Sequence, residues 1–88
     1  MNLDQRIEIV TGAGSGIGAA TAEALAAAGA SVVVTDISEK AAEQTANVIA
    51  QRGQSATALV QDVTSPEQWE QVFEAATATF GAPNALVN

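Results

Sequence analysis

Two kinds of residue in this 88-residue chain could do chemistry: glycines spaced to expose the backbone, and aspartates that follow apolar runs. Gly12, Gly14, Gly16 and Gly18 stand at alternate positions in Thr11-Gly12-Ala13-Gly14-Ser15-Gly16-Ile17-Gly18. Glycine has no side chain to bury, so this spacing serves a sharply turning backbone that something else approaches closely. The stretch follows an apolar run from Ile7 to Val10 and opens an alanine-rich helical pattern. A strand that feeds a helix through such a turn aims several free N–H groups at one spot. The helix dipole adds about half a positive charge there. The chemistry this implies is phosphate binding. Asp36 and Asp62 each follow a further apolar run and bring carboxylates.

The type of phosphate loop follows from what surrounds the glycines. A Walker loop needs Lys-Ser/Thr after its last glycine, but Gly18 is followed by Ala19-Ala20-Thr21 and no lysine occurs before Lys40. Nucleoside triphosphate hydrolysis is therefore a poor reading. The G-x-G-x-x-G fingerprint fails when started at Gly12, because Ile17 stands where a glycine or alanine is required. It matches as Gly14-x-Gly16-x-x-Ala19, but that register begins beyond the expected strand end, where no tight turn is needed. What remains is a longer loop, Thr-Gly-x-x-x-Gly-Ile-Gly, carried by Thr11, Gly12, Gly16, Ile17 and Gly18. This loop resembles the cofactor loop of the short-chain dehydrogenase/reductase family. The alternative is a glycine-rich turn that only packs a helix on a strand.

The resemblance implies roles for residues further along. Asp36 closes the second apolar run, where a dinucleotide-binding fold meets the adenosine ribose. A carboxylate there accepts hydrogen bonds from the 2′- and 3′-hydroxyls and repels a 2′-phosphate. Its neighbours Thr35, Ile37 and Ser15 include no base, so the expected cofactor is NAD. Read without the loop, Asp36 is more readily a helix-capping or turn residue, and the loop upstream reverses that preference. Asp62-Val63 is similar to the family's adenine-contacting pair, although an aspartate before Thr-Ser-Pro is by itself a turn residue. Ala85-Leu86-Val87-Asn88 is similar to the start of the family's Leu-Val-Asn-Asn-Ala-Gly segment, which lines the cofactor cleft. The expected cofactor-binding residues are thus Gly12, Ser15, Gly16, Ile17, Gly18, Asp36, Asp62, Val63 and Asn88.

Positioning these groups requires strands and helices in strict alternation. Arg6 to Thr11 reads as the first strand and Gly16 to Ala28 as the first helix, with Ile17, Ala20, Thr21, Ala24, Leu25 and Ala28 facing inward. Ser31 to Thr35 is a valine-rich strand of the kind buried on both faces. A helix capped by Ser38 runs to Arg52, with Ala42, Ala46 and Ile49 inward. Ser55 to Gln61 is the third strand. Ser65-Pro66-Glu67-Gln68 then starts a helix, with a capping serine, a first-turn proline and a glutamine that closes a capping box. Trp69, Val72, Phe73, Ala76 and Phe80 form its apolar stripe, and Ala85 to Val87 opens a fourth strand. This alternation predicts an α/β, Rossmann-like, doubly wound parallel sheet of strand order 3-2-1-4.

Composition sets the remaining bounds. A net charge of −7 argues against nucleic acid or an anionic membrane as partner. The chain has no cysteine and no histidine, so thiolate chemistry and the commonest general base are missing from it. No signal-peptide pattern or bilayer-length apolar run is present, and a cytoplasmic location is the expectation. The family's catalytic tyrosine and lysine lie downstream of its asparagine segment. Here there is no tyrosine, and the single lysine is Lys40. The expectation is a partial NAD-binding Rossmann domain over residues 1–88, with no catalytic residue, from an oxidoreductase acting on an alcohol/ketone pair. The resemblance implies a homo-oligomer for the complete parent. A non-catalytic dinucleotide-binding module and a non-functional gene fragment are the other readings; a Tyr-x-x-x-Lys about sixty residues beyond Asn88 would mark an enzyme. Two residues depart from the family. Glu8 stands where a small apolar residue is usual. It either reaches water on a partly covered sheet face or is buried and needs a cationic partner or a proton, with Arg6 on the same face two positions away but near the strand's open end. Asn84 replaces an aspartate.

Overall fold

Strand and helix alternate along the chain because the apolar pattern switches period from one run to the next, and the computed structural model, which describes residues 3–87, follows that alternation. The elements are β1 (Ile7–Val10), α1 (Gly16–Ala27), β2 (Ser31–Asp36), α2 (Glu39–Gln51), β3 (Ala56–Val60), α3 (Pro66–Thr79) and β4 (Ala85–Val87). The four strands form one parallel sheet of order β3-β2-β1-β4. The expected order holds, and the element ends fall within a residue or so of those expected.

The register fixes which residues share a face. Glu8 and Val10 align with Val32 and Val34 of β2, which align in turn with Ala56 and Ala58 of β3. This face packs against α1 and α2 through Ala22, Ala26, Ala42, Ala46 and Ile49. The opposite face, with Ile9 and Val33, packs against α3 through Val72 and Ala76. Six of the ten buried residues in the first cluster are alanines, four of them on α1 and α2, so both helices lie close on the sheet. Val32, Val33 and Val34 are all fully buried, as a strand sandwiched between helix layers requires.

Two expectations are corrected. The first concerns α1, whose buried residues are Ala22 and Ala26, whereas Ile17 is 88% exposed and Ala20 and Ala24 face outward. A helix in which eight of twelve residues are glycine or alanine gives periodicity little direction. The face is set by contact instead: a Cβ on Gly18 would run into the Gly12 carbonyl oxygen. That close approach turns Gly18, and with it Ala22 and Ala26, toward the sheet. The second concerns Glu8, for which the wet-face alternative is excluded and the buried, cation-paired one holds. It points to the face covered by α1 and α2, is 4% exposed, and accepts a hydrogen bond from Arg6 Nε at 3.0 Å. The half-covered face is the other one. Arg6 lies two residues away on the same side of the strand, and its exposed side chain folds back along the edge to neutralise the buried carboxylate.

The second departure is compensated locally. Asn84 Oδ1 accepts from the Ile7 N–H at 2.8 Å, and the Asn84 N–H donates to the Ile7 carbonyl at 2.8 Å. An amide oxygen thus supplies the same acceptor that a carboxylate would, and β4 is tied to the start of β1.

Candidate functional site

The loop after β1 is held from two sides before it reaches α1. The Thr11 N–H donates to the Val87 carbonyl and the Ala13 N–H to the Thr35 carbonyl, each at 2.9 Å. Between and beyond these ties Gly12 and Gly16 take positive φ values of +60° and +59°, a region that side chains disfavour. Open space lies where a Cβ would stand on either residue. Gly18 differs, since its place is filled by the Gly12 backbone as described above. The three glycines therefore do two jobs: two turn the chain beneath open space, and one seats the helix against the turn.

Ser15 precedes α1 in an extended conformation and makes no side-chain cap. The N–H groups of Gly16, Ile17 and Gly18 have no acceptor among the described residues. Unpaired donors at a helix start, with the dipole behind them, form a site for an anion. The Ile17 side chain stands out above them in solvent.

Asp36 at the end of β2 is oriented by backbone. Its Oδ2 accepts from the Gly14 N–H and its Oδ1 from the Ser38 N–H, each at 2.9 Å. These contacts explain the glycine at position 14, whose φ is ordinary: a Cβ there would sit 2.5 Å from Ala41 Cβ and 2.8 Å from Asp36 Oδ2. Each carboxylate oxygen keeps acceptor capacity for a further donor.

Asp62 and Val63 follow β3 on the neighbouring strand. The Thr64 hydroxyl and N–H donate to Asp62 Oδ1 at 2.7 and 2.9 Å. They hold the Asp62 carboxyl below the usual carboxylate range. A pocket of about 240 Å³ is lined by Gly12, Asp36, Ile37, Gln61, Asp62 and Val63. It brings together four of the expected residues, and Ser15, Gly16, Ile17 and Gly18 stand along the turn that leaves it. Asn88 lies outside the described residues.

Three contributors were not read from the sequence. Gly14 orients Asp36, and Ile37 supplies an exposed apolar wall. Gln61 is 2% exposed, and both polar atoms of its side chain are without a partner among the described residues. Alternation along β3 would have placed Gln61 on the face of Leu59, but nothing in the sequence shows that its amide is sealed there.

The donor set fits a dinucleotide. It comprises free N–H groups beneath open space for a pyrophosphate, an oriented carboxylate for ribose hydroxyls, and an adjoining pocket with one apolar wall and one polar edge. The model of the short chain dehydrogenase family matches residues 6–88. The probable oxidoreductase EphD of Mycobacterium tuberculosis is 47% identical over 79 residues, covering 90% of this chain and 13% of that protein. The 3-oxoacyl-[acyl-carrier-protein] reductase FabG of Escherichia coli is 42% identical over all 88 residues, which span 35% of it. A solved 7 alpha-hydroxysteroid dehydrogenase, complexed with NADH and 7-oxo glycochenodeoxycholic acid, superposes with a TM-score of 0.95 at 41% identity, over 99% of this chain and 34% of that one. The chain thus spans about a third or less of the length of these relatives.

Proposed function

The chain belongs to the short-chain dehydrogenase family, and from that premise we propose that residues 1–88 are the NAD-binding part of a Rossmann domain in an oxidoreductase that interconverts an alcohol and a ketone. The observation that carries the cofactor choice is the Asp36 carboxylate, held by the Gly14 and Ser38 N–H groups beside the open glycine turn. Gly12, Ser15, Gly16, Ile17 and Gly18 would hold the pyrophosphate, Asp36 the adenosine ribose, and Asp62 with Val63 the base. Asn88 is assigned to the cleft by resemblance alone. When bound, the nicotinamide supplies the hydride acceptor or donor. This chain's own part is to bind and orient.

The family's acid/base chemistry uses a tyrosine assisted by a lysine. The chain has no tyrosine, and Lys40 is exposed on α2, so it is proposed to bind cofactor without turnover. Among the described residues no helix is long and apolar enough to cross a membrane. A cytoplasmic location, avoidance of nucleic acid and membranes, and a homo-oligomeric parent complete the proposal.

Calorimetric titration with NAD⁺ and NADP⁺ tests it. Charge-assisted hydrogen bonds from the ribose to Asp36, set against repulsion of a 2′-phosphate, predict a preference for NAD⁺ of about tenfold or more. Asp36→Ala should erase most of that preference while leaving binding measurable. Equal affinities in the unsubstituted chain, or an unchanged preference in the variant, would refute the role of Asp36.

A further inference from the structure

Between β3 and α3, three successive peptide planes are each pinned by hydrogen bonds. The Asp62 N–H donates to Gln68 Oε1 at 2.6 Å, which fixes the plane joining Gln61 to Asp62. The Asp62 carbonyl accepts from the Ser65 N–H at 3.0 Å, which fixes the next plane. The Val63 carbonyl accepts from the Trp69 indole N–H at 2.8 Å, and the Thr64 N–H of the same plane donates to Asp62 Oδ1. Two of these partners, Gln68 and Trp69, come from the first turn of α3. Gln68 does not close the expected capping box onto Ser65: its backbone N–H donates to Ser65 Oγ, but its side chain reaches back to Asp62. Two polar groups of Asp62 and Val63 stay unbonded among the described residues, the Val63 N–H and Asp62 Oδ2. They are a donor and an acceptor on adjacent residues that line the pocket.

We infer that Trp69, seconded by Gln68, is a positioning residue that sets this donor–acceptor pair to read a 6-aminopurine and reject a 6-oxopurine. The inference rests on the proposed reading of the pocket as the base end of a dinucleotide site. A 6-aminopurine presents an exocyclic N–H donor beside a ring-nitrogen acceptor, complementary to Asp62 Oδ2 and the Val63 N–H. A 6-oxopurine presents the reverse order, an oxygen facing the carboxylate and a ring N–H facing the Val63 N–H. The rejection is sharp only if the loop cannot rotate its peptide planes to suit the wrong base. Ser65 holds the plane that carries the Val63 N–H. Gln68 and Trp69 hold the planes on either side of it, and the plane held by Trp69 carries the Thr64 N–H that orients the Asp62 carboxylate. Trp69 also packs on Phe73, with ring centroids 6.1 Å apart, so its ring and its N–H must be tested separately.

Trp69→Phe keeps an aromatic ring and removes the N–H; Gln68→Met keeps the chain length and removes the acceptor. Calorimetry of the 88-residue chain with NAD⁺ and with nicotinamide hypoxanthine dinucleotide reads the discrimination directly. A bidentate pair predicts a preference for NAD⁺ of about five- to 150-fold in the unsubstituted chain. Each variant should lower that ratio by about threefold or more, through weaker NAD⁺ binding rather than through a change with the hypoxanthine analogue. A ratio unchanged in folded Trp69→Phe, with both affinities weakened alike or neither weakened, would make Trp69 a packing residue and overturn the inference. If Trp69→Phe does not fold, Gln68→Met decides by the same ratio. An unsubstituted chain that binds both dinucleotides equally overturns the assignment of the base to this loop, and one that binds neither overturns the functional reading itself.

Discussion

Removing Arg6 should harm this chain more than removing Glu8, although the two form one ion pair. The Glu8 side chain is 5% exposed and lies between Val32 and Ala85 in the sheet, whereas the Arg6 side chain is 45% exposed at the strand's open end. Arg6→Ala leaves a carboxylate facing the α1 and α2 layer without its donor. Loss of one partner from a fully buried pair costs about 3–5 kcal/mol. Arg6 is half in water, so solvent already screens part of the attraction and the expected loss is about 1–3 kcal/mol. Glu8→Met fills similar volume and abolishes the need for a counter-charge, with an expected change of about 1 kcal/mol or less in either direction. In the double variant the cost of losing Arg6 should largely vanish. Urea melts of the four proteins at neutral pH give the cycle. A loss below about 0.5 kcal/mol for Arg6→Ala, or a larger loss for Glu8→Met than for Arg6→Ala, would refute this reasoning.

Other perturbations follow from single contacts. Gly18→Ala drives a methyl into the Gly12 carbonyl, so it should destabilise by about 1–3 kcal/mol in a thermal melt and weaken dinucleotide binding. Asn84→Ala should cost about 1 kcal/mol through the lost bond to the Ile7 N–H, while Asn84→Asp should melt close to the unsubstituted chain. Asp62 titrates below the ordinary carboxylate range because the Thr64 hydroxyl and N–H stabilise its charged form. Its contribution to stability is therefore complete above the unfolded carboxylate value and is lost as pH falls through the lower folded value. Thr64→Val should move the Asp62 side-chain carbonyl titration, followed by NMR, upward and weaken that acid dependence.

The sheet order was legible because its cause is local. The glycine turn, the valine run of β2 and the Ser65-Pro66 start of α3 each mark one element, and parallel crossovers leave few ways to arrange four strands. The placement of Asp36 at the end of β2 and of Asp62 just beyond β3 was legible for the same reason. What was hidden depends on contacts between distant residues. The inward face of α1 could not be read from a helix of alanines; it is set by Gly18 meeting Gly12 across the turn. The surroundings of Glu8 required knowing which sheet face two helices cover. Gly14 gave no sign of its bond to a carboxylate twenty-two residues away, and Gln68 looked like a capping residue until its side chain was seen to hold Asp62.

The central claim, that the β1 turn and the ends of β2 and β3 form one dinucleotide site, is tested most directly by NMR titration of the ¹⁵N-labelled chain with NADH. The amides of Gly16, Ile17, Gly18 and Val63, unbonded within the described protein, should shift together along one saturation curve. Those of Phe73, Glu74, Thr77 and Ala78 on the outer face of α3 should stay in place. Shifts confined to α3, or separate curves for the glycine turn and Val63, would contradict a single site.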